Sequence, residues 1–223
     1  MNAIPNQTEK QFDYVVLTTK NLADHKPSAA DLIEPAVVPG KTVIVLIQNG
    51  LNIEFPFFAK FPDNICLSGV SLIGSHETDP AVIEHEDPDR LVIGAFRNPG
   101  LPQEKEDLAA HDFIKMYSAG GKTVCSFTAD VPFHRWQKLV YNACLNPICA
   151  ITGLDTGRIR LADDTVGELL RPAMEEIVAA AKASGVILPS GVVDRMINID
   201  PLTLYLRPSM LEDVRKVRDN TLH

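Results

Sequence analysis

The sequence has no long hydrophobic run, no block of basic residues and no export signal at its start. None of its apolar stretches approaches the roughly 20 residues that a membrane-spanning helix needs, which argues against a membrane protein. The formal net charge is -8, and lysine and arginine are scattered, which argues against a nucleic-acid or anionic-membrane surface. Residues 1–12 carry neither an apolar signal core nor a cleavage pattern. We therefore expect a cytoplasmic protein.

Cysteine and histidine are few, and neither is spaced as in metal sites. The chain has 4 cysteines, which are Cys66, Cys125, Cys144 and Cys149. They lie among apolar neighbours without Cys-x-x-Cys spacing, so we expect buried, reduced thiols; a disulfide between Cys144 and Cys149 is the less favoured alternative. His76 and His85, with glutamates beside them, flank Asp79-Pro80 and indicate an exposed turn between strands better than a metal site. We expect no bound metal.

One lysine and two asparagines stand at four-residue intervals in the second half of the chain. On a helix with 3.6 residues per turn, each four-residue step advances only about 40° around the axis. Lys138, Asn142 and Asn146 therefore form one polar stripe, and the apolar residues between them form a face that needs a core. We expect the stripe to lie beside that core in a cleft.

An ordinary solvated helix face is the alternative interpretation of this stripe. Exposed faces favour glutamate and lysine, whereas asparagine is a mediocre helix former, so two asparagines in one stripe need a reason. Pro147 follows Asn146 directly, and proline removes a backbone donor, so we predict that the helix ends or kinks there. On spacing alone the functional and the solvated-face interpretations are evenly matched.

Strand and helix patterns divide the chain into two parts. In the first part, short apolar runs predict strands over residues 14–18, 43–47, 65–73, 82–85, 91–95 and 123–127, with helices over 29–37, 53–61 and 105–119. In the second part, helices are predicted over residues 132–146, 166–184 and 192–199, with another that starts after Pro208. The order strand, helix, strand suits a parallel crossover in a doubly wound sheet. We therefore expect an α/β domain with a partial Rossmann-like parallel sheet (residues 1–129) and an all-helical domain (residues 130–223).

Four segments in the same order resemble the ketopantoate reductase (2-dehydropantoate 2-reductase) family. The most specific is Trp-x-Lys-Leu-x-x-Asn-x-x-x-Asn-Pro, over residues 136–147. The others are Tyr-Val-Val-Leu-Thr-Thr-Lys over residues 14–20, the Gln48-Asn49-Gly50 turn, and Pro208-Ser209-Met210. Together these segments extend the resemblance from about Phe12 to Arg218, which is nearly the whole chain.

The resemblance implies NADPH-dependent reduction of a small 2-ketoacid, foremost 2-dehydropantoate, to the hydroxy acid. Hydride addition builds negative charge on the ketone oxygen, so the site needs a nearby cation or proton donor, and Lys138 is the candidate catalytic residue. Family resemblance assigns substrate binding to Asn142 and Asn146, and binding of the substrate carboxylate to Ser209. It assigns contacts with NADP to Lys20 and Asn49.

Each of the last three residues also has an ordinary structural interpretation. Lys20 can be a lysine at the end of an exposed strand, Asn49 can belong to a tight turn with Gly50, and Ser209 can be a helix N-cap. No tyrosine stands four residues before a lysine, as in short-chain dehydrogenases, so we interpret Tyr141 as a packing residue. Related 3-hydroxyacid dehydrogenases are the closest alternative reaction class.

The sequence also departs from the family pattern. The chain contains no Gly-x-Gly-x-x-Gly motif, the turn that normally holds a dinucleotide pyrophosphate. The family's glutamate twelve residues after the serine is here Thr221, and we expect the family's closing helix to be missing. A non-catalytic relative that acts as a binding or dimerisation module is therefore the alternative function. A sheet that lacks strands would expose an edge, so we expect self-association, for example as a homodimer, or instability.

Overall fold

The computed structural model describes residues 4–8, 10–22, 24, 26–79, 81–85 and 88–221. The chain divides into two compact units, Met1–Val131 and Pro132–His223. The first unit contains all the strands that are described, and the second contains only helices and their connections. The expected α/β part followed by a helical part is confirmed.

The strands of the first unit form a five-stranded sheet and a separate hairpin. In chain order they are β1 (Tyr14–Leu17), β2 (Val43–Leu46), β3 (Cys66–Ser71), β4 (Ser75–Asp79), β5 (Val82–His85), β6 (Asp89–Phe96) and β7 (Thr123–Phe127). The sheet has the order β1-β2-β3-β6-β7, and β4 pairs with β5 in the hairpin. Strands β1, β2 and β3 are parallel, β6 is antiparallel to β3, and β7 is parallel to β6.

The sheet is therefore mixed, where the sequence predicted a parallel one. The chain passes from β3 to β6 through the β4–β5 hairpin, without a crossover helix. A strand that returns through a hairpin, without a crossover helix on one face of the sheet, can run antiparallel to its neighbour, as β6 does to β3. The first strand pair has the expected form, since α1 (Ala29–Ile33) and a 3₁₀ turn (Glu34–Ala36) connect parallel β1 and β2.

Helices cover both faces of the sheet. Helices α1 and α2 (Phe55–Lys60) pack on one face, where the core includes Ile44 and Leu46 of β2. Helix α3 (Gln103–Tyr117) packs on the other face, where Val43 and Val45 of the same strand are buried. Successive side chains of a strand point to opposite faces, so an uninterrupted apolar run such as β2 indicates a strand buried on both sides.

The second unit is a set of helices around one core. They are α4 (Val131–Thr152), α5 (Thr156–Leu161), a π-helical turn (Val166–Leu170), α6 (Arg171–Ala183), α7 (Val192–Ile197) and α8 (Ser209–Thr221). Apolar side chains of α4, α6, α7 and α8 share this core, among them Leu145, Met174, Met196 and Leu211. The helix that was expected to start after Pro208 is present as α8.

The sequence predicted that the helix ends or kinks at Pro147, and α4 does not end there. It continues to Thr152 with Pro147 inside it. Proline costs the helix one hydrogen bond, but the residues on either side, Leu145 and Cys149, are 1% and 0% exposed. Burial of apolar side chains on both sides of the proline offsets the lost bond, so tertiary packing overrides the local signal.

Two short elements were not predicted from the sequence. Strand β4 is rich in polar residues of low strand propensity and forms through pairing with β5. Helix α5 has only six residues and contains Gly157, but the side chain of Asp155 caps it by accepting a hydrogen bond from the Arg158 backbone N–H. The strands β4 and β5 pair up to Asp79 and Val82, whereas Pro80 of the predicted turn lies outside the described residues.

The four cysteines form no disulfide bond, as predicted. All four are free, with Cys66, Cys144 and Cys149 buried and Cys125 half-buried. Burial raises the pKa of the Cys66 thiol to about 12 and that of Cys144 to about 11. The alternative of a disulfide between Cys144 and Cys149 is wrong.

Candidate functional site

A cleft in the first unit lies at the carboxyl ends of β1 and β2. It has a volume of about 310 Å³, and its lining comes from the two loops that follow these strands: Thr18, Thr19, Lys20, Asn21, Ile47, Gln48 and Asn49. The carboxyl ends of parallel strands lie at the same edge of a sheet, so the loops after them meet and form a crevice. The structure therefore brings together Lys20 and Asn49, the two predicted cofactor-binding residues.

Gln48 joins the two loops of this cleft. Its side-chain Nε2 donates to the backbone oxygen of Thr19 at 2.8 Å, and the residue is only 5% exposed. Gly50 then adopts a φ of +118°, which a residue with a side chain rarely adopts. The segment therefore has a positive φ at Gly50, where glycine is suited to it, and its residues Gln48 and Asn49 line the cleft.

Lys138, Asn142 and Asn146 all lie within α4, which is helical through all three positions. Residues four apart on a helix have Cβ atoms roughly 5–6 Å from each other, so the three side chains are neighbours on one side of α4. Lys138 and Asn142 are half-buried, and Asn146 is 7% exposed. The interpretation of the stripe as an ordinary solvated face does not agree with this burial.

The side-chain amides of Asn142 and Asn146 make no hydrogen bond to any other residue in the part of the chain that the structure describes. Each amide offers one acceptor oxygen and two donor hydrogens. Both asparagines can therefore bind a polar ligand without breaking an existing bond.

Burial lowers the pKa of the Lys138 ammonium from 10.5 to about 8, and the positive charge of Arg135 adds to the effect. Burial disfavours the charged form of a lysine because it removes water from the ammonium group. A group with a pKa near 8 gives up a proton much more readily at neutral pH than an ordinary lysine does. Lys138 can therefore act as a proton donor.

Ser209 is the first residue of α8 and is exposed. Helix α8 packs on the same core as α4, through Leu211. Among the described residues, no hydrogen bond joins Ser209 to the polar stripe of α4. Its interpretation as an N-cap is wrong, because Ser209 is already helical and follows Pro208.

Two further residues of α4 were not identified as site residues from the sequence. Arg135 lies one helical turn before Lys138 and is 6% exposed; its spacing from Lys138 was the signal that could have indicated it. Tyr141, interpreted as a packing residue, does pack on the core, but its hydroxyl also donates to Oδ2 of Asp200 at 2.8 Å. Burial, followed by the carboxylate of Asp200, raises the pKa of this hydroxyl, so Tyr141 remains a donor.

The described ranges contain neither a metal-binding cluster nor a membrane-spanning helix. No group of three or more histidine, cysteine, aspartate or glutamate residues is placed to hold a metal ion there. Over the same residues, no helix combines the length and apolar character needed to cross a membrane.

Models of one protein family match both parts of the chain. The model described as ketopantoate reductase PanE/ApbA matches residues 1–98, and the model of that family's C-terminal part matches residues 130–221. An uncharacterised protein of Saccharomyces cerevisiae is 34% identical over 224 residues, which covers 92% of this chain and 62% of that protein.

Solved structures agree with these matches. The crystal structure of 2-dehydropantoate 2-reductase from Methylococcus capsulatus is 32% identical, with a TM-score of 0.75, and the match covers 93% of this chain and 63% of that one. The ternary structure of D-mandelate dehydrogenase with NADH and anilino(oxo)acetate is 19% identical, with a TM-score of 0.77 and coverage of 94% and 64%; it shows the fold alone. The chain spans less than two thirds of the length of each of these three proteins. It belongs to the ketopantoate reductase family.

Proposed function

We propose that the chain reduces a small 2-ketoacid with NADPH, and that 2-dehydropantoate is the substrate, with pantoate as the product. The observation that carries this proposal is the α4 stripe, in which a half-buried lysine of lowered pKa stands beside two asparagine amides that have no partner among the described residues. The family supports the same reaction class.

Lys138 is the proton donor in this proposal. When hydride adds to the carbonyl carbon, the ketone oxygen becomes negatively charged, and the ammonium of Lys138 stabilises that charge and transfers a proton to it. The lowered pKa, about 8, brings the lysine close to the working pH, where proton donation is most effective. A lysine with an ordinary pKa near 10.4 would hold its proton more tightly.

Asn142, Asn146 and Ser209 bind the ketoacid. The amides donate N–H groups to carboxylate or carbonyl oxygens and accept hydrogen bonds from hydroxyl groups. Because asparagine is neutral, the two amides hold the substrate without adding a charge that competes with proton transfer from Lys138. The exposed hydroxyl of Ser209 at the start of α8 donates to the substrate carboxylate.

Lys20 and Asn49 hold the cofactor in the first unit. A nicotinamide cofactor supplies the hydride for this reaction class. The cleft of about 310 Å³ is at the lower end of ordinary ligand pockets, roughly 300–1,000 Å³, and therefore fits part of a dinucleotide. Lys20 suits an anionic ligand by its charge, and the Asn49 amide can bind a ring carboxamide.

The test is NADPH oxidation with 2-dehydropantoate as substrate, measured for the wild-type chain, Lys138→Ala and Lys182→Ala. Lys182 is an exposed lysine of α6 and serves as the matched control. We expect Lys138→Ala to lower kcat roughly a hundred- to a thousandfold with a small change in KM, as for loss of one charge-stabilising donor. Lys182→Ala should keep wild-type rates. Equal rates for the two variants would remove Lys138 from the mechanism.

A further inference from the structure

The connection between α7 and α8, residues 198–208, leads directly to Ser209, the first residue of α8, and makes polar contacts with α4 and α5. Four of its apolar side chains are substantially exposed: Ile199, Leu202, Leu204 and Tyr205 are between 41% and 54% exposed. These four side chains therefore contribute little to its position, whereas Pro208 is buried and Leu211 of α8 packs in the core. The rest of the connection is held by hydrogen bonds with the helices α4 and α5.

Arg160 of α5 makes the largest number of these contacts. Its Nη1 donates to the backbone oxygens of Ile197 at 2.9 Å and Asp200 at 2.7 Å, and its Nη2 donates to that of Pro201 at 3.2 Å. Its Nε donates within α5 to the backbone oxygen of Thr156 at 3.0 Å, and the whole residue is 8% exposed. A planar guanidinium can donate in several fixed directions at once, which a lysine ammonium at this position would not reproduce.

Tyr141 joins the same connection directly to the helix of the polar stripe. Its hydroxyl donates to Oδ2 of Asp200 at 2.8 Å, and Asp200 is the residue whose backbone oxygen Arg160 also binds. Tyr141 stands three residues after Lys138 and directly before Asn142, in the rigid interior of α4. Asp200 is thus fixed from two helices, and one of them carries the candidate catalytic residues.

The end of the connection that is nearer to Ser209 contacts α5. The Thr156 backbone N–H donates to the oxygen of Leu206 at 3.0 Å, and the Arg158 guanidinium lies 4.8 Å from the centre of the Tyr205 ring. Gly157 allows this close approach, since a Cβ there would lie 2.7 Å from the backbone oxygen of Leu202. The connection is therefore fixed both near Asp200 and near Ser209.

We infer that Tyr141, Asp200 and Arg160 are positioning residues that hold Ser209 in register with the α4 stripe, so that the substrate carboxylate and ketone are bound together. This inference rests on the proposed function. The three residues touch neither substrate nor cofactor in this scheme, and act on the substrate only through the placement of Ser209.

The test compares Tyr141→Phe with Tyr117→Phe, each of which removes one hydroxyl. Tyr117 of the first unit donates to Oδ2 of Asp89 at 2.6 Å, so this matched tyrosine–aspartate pair involves no residue of α4 or α8. We expect Tyr141→Phe to raise KM for 2-dehydropantoate about tenfold, the equivalent of one hydrogen bond to a charged group, with kcat and KM for NADPH nearly unchanged. Tyr117→Phe should leave all three constants unchanged.

Asp200→Asn serves as the conservative variant, because it keeps an oxygen that can accept from Tyr141, and Asp200→Ala removes that oxygen. We expect Asp200→Asn to stay close to wild type in KM and Asp200→Ala to resemble Tyr141→Phe. These two variants also test the inference if Tyr141→Phe does not fold. Hydrogen–deuterium exchange of residues 198–208 gives a second readout, and exchange should become faster in Tyr141→Phe and in Asp200→Ala.

The outcomes separate this inference from the proposed function. If the wild-type chain reduces the ketoacid, and KM for the ketoacid is unchanged in Tyr141→Phe and Asp200→Ala, the inference is overturned and the proposed function stands. No turnover by the wild-type chain would overturn the proposed function and, with it, the role given to Ser209. An equal rise in KM for both substrates, or an equal effect of Tyr117→Phe, would indicate a general loss of structure and would also overturn the inference.

Discussion

Replacement of Lys138 by methionine should change how the stability of the second unit depends on pH. Methionine keeps most of the length of the side chain and removes the charge. In the folded chain the pKa of Lys138 is lowered from 10.5 to about 8, mainly by burial and further by Arg135, so folding disfavours the charged ammonium. At about 1.36 kcal/mol per pKa unit, this corresponds to about 3 kcal/mol of lost stability at low pH.

The sign of the effect follows from proton binding. Between pH values of about 8 and 10.5 the unfolded chain binds more protons at Lys138 than the folded chain does, so unfolding becomes less favourable as pH rises. The penalty is fully present below the folded pKa and disappears above the unfolded pKa. Relative to Lys138→Met, the wild type should therefore gain about 2 kcal/mol in the free energy of unfolding between about pH 7 and about pH 9.5.

Urea unfolding followed by the fluorescence of Trp136 measures this difference. Trp136 is the one tryptophan in the sequence and packs on the core of the second unit, so its emission reports the unit that contains Lys138. Lys182→Met, at an exposed position of α6, is the control and should follow the wild-type pH dependence. If the curves for Lys138→Met and wild type stay parallel over this pH range, burial does not disfavour the Lys138 charge, and the argument for its lowered pKa fails.

Four further predictions concern stability, kinetics and assembly. Gly94→Ala should lower the free energy of unfolding by about 3 kcal/mol or more in urea denaturation, because a Cβ would lie 2.1 Å from the backbone oxygen of Thr128. Gly120→Ala is the control and should have little effect, because there is open space around Gly120. Equal effects of the two substitutions would contradict the prediction that the added Cβ at Gly94 clashes. Asn146→Ala should raise KM for the ketoacid more than it lowers kcat in steady-state assays, whereas lost stability with normal kinetics would indicate a structural role. In the reductive direction kcat/KM should fall above about pH 8 as Lys138 loses its proton, and a flat profile to pH 10 would contradict its role as donor. Because β1 is an edge strand, light scattering should find the chain self-associated, and a monomer at all concentrations would refute this.

Local sequence pattern predicted those parts of the fold in which one face or both faces of an element are buried. The apolar β2 strand was identifiable because both of its faces are in the core. The stripe on α4 was identifiable because side chains four residues apart lie on one side of a helix. The cleft with Lys20 and Asn49 followed once β1 and β2 were taken as parallel, since their carboxyl ends then meet.

Features that depend on contacts between distant residues could not be predicted in this way. Pro147 indicated that the helix ends or kinks, but α4 continues through it, with Leu145 and Cys149 buried in the core on either side. The bond between Tyr141 and Asp200 joins residues 59 positions apart, and no local spacing indicates it. The reversed direction of β6 depended on recognising the polar strand β4, whose composition is untypical of strands.

The most direct test of the central claim is the transfer of deuterium from NADPH labelled at the transferable hydride to 2-dehydropantoate. The product is analysed by mass spectrometry after incubation with the wild-type chain and with Lys138→Met. We predict pantoate that carries one deuterium at carbon 2 with the wild type, and a yield lower by roughly a hundredfold or more with Lys138→Met. If the pantoate is unlabelled or absent, the chain does not transfer hydride from NADPH to 2-dehydropantoate. If the two proteins give equal yields, Lys138 of α4 is not the proton donor. Either result would contradict the proposed function.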